Sequence, residues 1–276
     1  MKYYSHILLN LFFLSIILSA DFPDKAQLLR KNSVAKTIGR EDRKDGVHSG
    51  NRVLTRIYNH GAIGDLSSSF SGVYPIGSGH AYIFEFSPII AASVVDANGF
   101  RKHIISDGTI GLTDNSPEGT PWGFEPLSGY ANPNQENLAM SDNENSWPDS
   151  WPNRQSDWDG EWNGQYGKYV RADQESYFVV DDYYNSEFEF WPDENDIPQD
   201  TTAAPDNHRR GLGIQLDVRG YQWNHPAAED ILIVTYWITN VGTSVLDSVV
   251  FGMYGDADVG GPSSFSDDDA WFDTEN

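Results

Sequence analysis

The sequence predicts a mainly β protein, an antiparallel β-sandwich carrying long Trp-rich and Gly-rich loops. Three observations lead there. In residues 213–219, Ile214, Leu216 and Val218 alternate with Gln215, Asp217 and Arg219, the period-two pattern of a half-buried strand. Two further strand-like runs follow at short spacing, Ile231 to Thr239 and Val245 to Tyr254, separated by the turn residues Asn240 to Ser244. After the first twenty residues no long amphipathic helical pattern occurs.

Taken in order, residues 1–20 read as a secretory signal peptide: Lys2, an apolar stretch from Ile7 to Leu18, then Ser19-Ala20 before a polar sequence. The stretch is shorter than the ~20 apolar residues that cross a bilayer as a helix. Cleavage is expected after Ala20, and no later segment is apolar for long enough to span a membrane. Residues 21–50 form a polar, mildly basic leader, expected to be partly disordered. Residues 51–120 form an N-terminal β region. It opens with a strand at Arg52 to Asn59 and a Gly-rich and Ser-rich loop. Strands follow at His80 to Phe86 and Ile89 to Val95, and an Asp96-Ala97-Asn98-Gly99 turn returns the chain as a partner strand from Arg101 to Ser106. Residues 121–170 are a loop segment containing Trp147, Trp151, Trp158 and Trp162. Residues 171–276 form the sandwich region, with strands expected at Ser176 to Val180 and Glu187 to Phe190 and an acidic loop at the end.

Composition narrows the function. The chain has no cysteine, which rules out disulfides, zinc-thiolate sites and a thiol nucleophile. Its net charge of −23 is concentrated beyond residue 60, where thirty-six acids face eight Lys or Arg. Such a body repels phosphate backbones and anionic membranes, so nucleic acid is not an expected partner. The sequence lacks a G-x-S-x-G elbow, an H-E-x-x-H pair and a phosphate-binding loop with its lysine.

Two segments offer binding chemistry. Asp256, Asp258 and, beyond a Gly pair, Asp267, Asp268 and Asp269 place carboxylates densely enough to wrap Ca²⁺, which takes about six to eight oxygens. The run lacks the third Asp and the closing Glu of an EF-hand, and a solvated acidic loop is the other reading. In the second segment, Trp147, Trp151, Trp158 and Trp162 stand among acids and Asn. They would either stack on sugar rings or pack the long loop onto the sheets. Asp181-Asp182, Glu187, Glu189, Asp173 and Glu175 supply acid pairs of the kind a glycoside hydrolase uses, but so acidic a chain brings pairs together by chance.

The phrase ILIVTYWITNVGTSVLDSVVFGMY resembles the strand-turn-strand of immunoglobulin-like sandwich modules in large bacterial surface proteins. YPIGSGHAYIFEFSP, DWDGEWNGQYGK, ADQESYFVVDD, GYQWNHPAAEDI and FGMYGDADVGG extend the likeness to long secreted bacterial proteins that leave the cell through a C-terminal sorting domain. The resemblance covers roughly residues 70–276 and implies an immunoglobulin-like β-sandwich, a place at the cell surface and membership of a larger surface protein, without implying an activity. The expected function is a noncatalytic structural or adhesive role toward an extracellular protein or glycan, with Ca²⁺ as the cofactor. The alternative is a carbohydrate-binding module or glycoside hydrolase that uses the Trp-rich segment.

Overall fold

A computed structural model describes residues 40–65, 69–109, 122–197 and 208–259. The expected signal segment, most of the leader, and Asp267, Asp268 and Asp269 lie outside the described residues. Among the described residues the fold is mainly β, in antiparallel ladders. Strands β1 (Asp45–His48) and β2 (Thr55–Tyr58) form a short hairpin. Strands β3 (Ile83–Val95), β4 (Arg101–Asp107) and β10 (Asp247–Ala257) form one sheet, with β3 in the middle. The second sheet contains β5 (Glu125–Pro126), β6 (Ala139–Met140), β7 (Gln174–Asp181), β8 (Ile214–Gln222) and β9 (Ile233–Asn240). Its order is β5-β7-β8-β9, and β6 pairs with β7 as well.

The β3–β4 hairpin follows its turn chemistry. Asp96 Oδ1 accepts from the backbone N–H groups of Asn98 and Phe100 at 2.9 and 2.8 Å, and Gly99 takes φ +80°. The two runs that flank Pro88 are one strand. A proline interrupts a ladder by lacking an N–H, but β4 joins β3 only from Ile89 onward, so Pro88 has a single strand neighbour, at Met253.

Several expectations are corrected. A strand, β1, lies inside the stretch read as leader, and it pairs with residues 55–58. The expected strand at Glu187 to Phe190 is absent: Phe190 N–H bonds back to Phe188 O, and the Arg210 guanidinium takes the carbonyls of both Phe188 and Phe190. β10, from the expected sandwich region, pairs with β3, from the N-terminal β region, along most of its length. Consecutive strands β9 and β10 do not form a hairpin. They enter different sheets, and Tyr236 and Phe251 meet between them with ring centroids 5.3 Å apart.

One apolar core joins the sheets. Ile90, Ala92, Val94 and Ile104 pack with Phe178, Val180, Leu216 and Val218. The alternation in β8 predicts one wet face, yet both β7 and β8 are buried along their whole length. Residues 127–162 supply the cover: Leu127, Tyr130, Trp151 and Trp162 pack on Tyr177 and Val179, the residues of β7 that point away from the main core. Leu216 has no exposed surface, so Leu216→Ala is expected to lower the unfolding free energy by about 2–5 kcal/mol, read from the urea midpoint at unchanged m-value.

Candidate functional site

The acids proposed as a hydrolase pair sit at the end of β7 and are wholly buried. Asp181 receives a two-pronged bond from Arg209, Nη1 to Oδ1 at 2.8 Å and Nη2 to Oδ2 at 2.9 Å, and a third from Gln215 Nε2 at 2.7 Å. Such bidentate pairs are strong and directional. Asp182 turns the other way and ties the strand to its neighbours: it accepts from Ser106 Oγ at 2.9 Å, Leu212 N at 2.7 Å and Ile214 N at 2.9 Å. Burial, reinforced by the Asp181 charge, raises its pKa to about 6. Glu175 accepts from Trp162 Nε1 at 2.7 Å and from the backbone of Arg171 and Ala172 at 2.6 and 3.0 Å. Asp173 caps Asn224 N at 2.6 Å, and Glu189 holds the Asn98 amide at 2.7 Å. These carboxylates therefore fasten loops and strand ends.

The four tryptophans separate by depth. Trp151 and Trp162 are interior, only 3% and 2% exposed, and present no ring face to a sugar. Trp151 Nε1 donates to Glu161 O at 2.9 Å, and Trp147 Nε1 donates to Met140 O at 2.7 Å. The rings of Trp147 and Trp151 lie 5.4 and 5.9 Å from that of Trp162. Trp158 is half-buried and covered by cations, with the Arg154 guanidinium 4.1 Å and Lys168 Nζ 5.6 Å from its ring. Trp151 and Trp162 pack with Leu127, Tyr130, Tyr177 and Val179, the loop-packing arrangement that the sequence offered beside sugar stacking, and large apolar rings are what order a long loop over a polar sheet face.

The acidic end of β10 is partly described. Asp256 stands opposite Glu85 in the β3 ladder and accepts from Tyr254 OH at 3.2 Å. Asp258 is buried, with its N–H bonded to Tyr82 O at 3.2 Å. Among the described residues no group of three or more His, Asp or Glu is arranged to hold a metal ion. Asp267, Asp268 and Asp269, which the calcium expectation also needs, fall outside them.

One partly exposed cluster was missed by the sequence reading. The Arg171 guanidinium lies 4.8 Å from the Tyr166 ring and 5.2 Å from the Tyr169 ring, and Nη2 donates to Tyr169 OH at 2.7 Å. Beside it Trp223 stacks on Tyr221, interplanar angle 13°, and donates Nε1–H to Arg171 O at 3.2 Å. Gly164-Gln165-Tyr166-Gly167 was the available signal, since paired glycines mark a close backbone approach. A Cβ on Gly167 would lie 2.5 Å from the Tyr169 ring. Elsewhere a cavity of about 130 Å³ opens between Pro126, Tyr130, Leu138, Phe178 and Val179. It is smaller than the roughly 300–1,000 Å³ of common ligand clefts.

Burial also shifts the proton affinity of His48. This histidine is buried over the Ser176–Gly220 pair of the β7–β8 ladder, its Nε2 2.9 Å from Ser176 Oγ, and burial lowers its pKa to about 4 against a smaller opposing pull from the Gln222 amide. Because the folded value lies below the unfolded one, near 6.5, the unfolded chain takes up the proton first as pH falls. The loss of stability begins near pH 6.5 and levels off near pH 4, reaching about 3 kcal/mol. Chemical denaturation across that window is expected to show a shallower pH slope for His48→Gln than for the wild type, and equal slopes would contradict a neutral buried imidazole. Trp162→Phe, which strips one donor from buried Glu175, is expected to cost about 1–3 kcal/mol in the same assay.

Compared with known proteins, the chain matches no family model, no curated protein and no solved structure.

Proposed function

We propose that the chain is an exported, noncatalytic structural or adhesive module, an immunoglobulin-like antiparallel sandwich that belongs to a larger surface protein. The observation that supports a noncatalytic role is the use of the acids. A glycosidase needs an acid and a second carboxylate about 5 to 9.5 Å apart across an open cleft. Asp181, Asp182 and Glu175 are at most 1% exposed and spend their oxygens on Arg209, Gln215, Ser106, Trp162 and backbone N–H groups. A core shared by two antiparallel sheets supports the sandwich reading.

Export follows from the N-terminal stretch and the acidic, cysteine-free composition. The test is fractionation of a Gram-negative host that expresses the whole chain, followed by N-terminal sequencing. A product beginning at Asp21 outside the cytoplasm is expected, and an uncleaved cytoplasmic chain would overturn the reading. Calcium at the acidic end of β10 belongs to the same proposal. A ligand bound only by the folded state adds RT ln(1 + [L]/Kd), about 2.7 kcal/mol at a hundredfold excess over Kd. Millimolar Ca²⁺ is therefore expected to raise the thermal midpoint saturably over EDTA. An Asp256→Ala, Asp258→Ala chain that keeps the whole rise would remove the site from these residues.

A further inference from the structure

We infer that Tyr166, Tyr169, Arg171 and Trp223, the last backed by the buried Tyr221, form a binding platform for a neutral polysaccharide chain. The inference deepens the adhesive reading, on which it rests for access to such chains. Its first support is exposure with order. Tyr166 and Tyr169 leave 68% and 49% of their surface to solvent, yet neither ring hangs free. The Arg171 guanidinium engages both rings, Tyr169 packs against the bare backbone of Gly167, and Gly164 allows the loop to fold back so closely that a Cβ there would lie 2.5 Å from Tyr169 O. Trp223 is fixed at its edge by Arg171 O and on one face by Tyr221, whose hydroxyl in turn donates to Gln165 Oε1 at 2.9 Å. Rings ordered before a ligand arrives lose little freedom when it binds.

The chemistry of the platform selects the ligand. A ring face carries the negative part of the aromatic quadrupole, and the axial C–H bonds of a pyranose present weak positive charge over a flat area. Around the rings stand guanidinium N–H donors, tyrosine hydroxyls and the Gln165 amide, which suit sugar hydroxyls that both donate and accept. A polyanionic chain is disfavoured by the net charge of −23, against which one guanidinium already shared between two rings offers little.

The experiment is affinity electrophoresis of the purified full chain through native gels containing hydroxyethylcellulose, xyloglucan or galactomannan, with alginate as the polyanion. At least one neutral polysaccharide is expected to retard the wild type. Tyr166→Ala and Arg171→Ala are each expected to weaken that binding roughly tenfold at an unchanged thermal midpoint, and Tyr166→Trp is expected to retain it. The inference is overturned if no neutral polysaccharide retards the protein, if alginate alone does, or if Tyr166→Ala migrates as the wild type. Because the measurement uses purified protein, failed export and failed binding are separate results.

Discussion

The outer face of the β7–β8 ladder is the constraint around which the chain is arranged. Its cross-strand rows are Glu175 with Tyr221, Tyr177 with Arg219, Val179 with Asp217, and Asp181 with Gln215. A face so rich in charge would ordinarily stay in water. Here it is buried, and a buried charge without a partner costs several kcal/mol. Each row is therefore answered. Trp162 donates to Glu175, Asn163 O receives Arg219, Tyr177 OH donates to Asp217 at 3.1 Å, and Arg209 clamps Asp181. The Arg219 guanidinium also lies 3.8 Å from the Tyr177 ring, so one cation satisfies both a carbonyl and a π face.

That demand accounts for the long segment between β6 and β7, which has only short 3₁₀ turns of its own. Its order comes from the side chains it delivers to the sheet, with Trp151 and Trp162 entering between Leu127, Tyr130 and Tyr177. The opposite face of β7 and β8 carries Phe178, Val180, Leu216 and Val218 into the core shared with β3 and β4. The same two strands thus serve an apolar layer on one side and a hydrogen-bonded polar layer on the other. Since the acids nearest the sheet are used in that satisfaction, the binding capacity of this face moves to its margin. The outer row ends at Tyr221, and Trp223 and Arg171 carry it to the surface.

The charge of the protein fits this division. Most acids lie beyond residue 60, and the few cations there are placed with economy. Arg209 and Arg219 are buried beside carboxylates, Arg154 and Lys168 cover Trp158, and Arg171 organises two tyrosines. With several of its cations held inside or on aromatic rings, the chain keeps a net charge of −23, which is why the proposed ligand of the aromatic margin is an uncharged one.

By itself the sequence determined the local β pattern. The alternation of Ile214, Leu216 and Val218 and the Asp96 to Gly99 turn place β8 and the β3–β4 hairpin, because side-chain period and turn conformation depend only on neighbours along the chain. It also showed that residues 147–162 are rich in indoles and that Asp181 and Asp182 are adjacent. Tertiary structure alone decided what those residues do. Whether Trp162 faces a sugar or Glu175, whether β10 joins β9 or β3, and whether the polar face of β8 is wet or covered depend on segments tens of residues away. The exposed rings of Tyr166 and Tyr169 meet Arg171 locally, but Tyr221 and Trp223 reach them only through the fold. Burial is a property of what packs on a surface, and a one-dimensional pattern records only the surface.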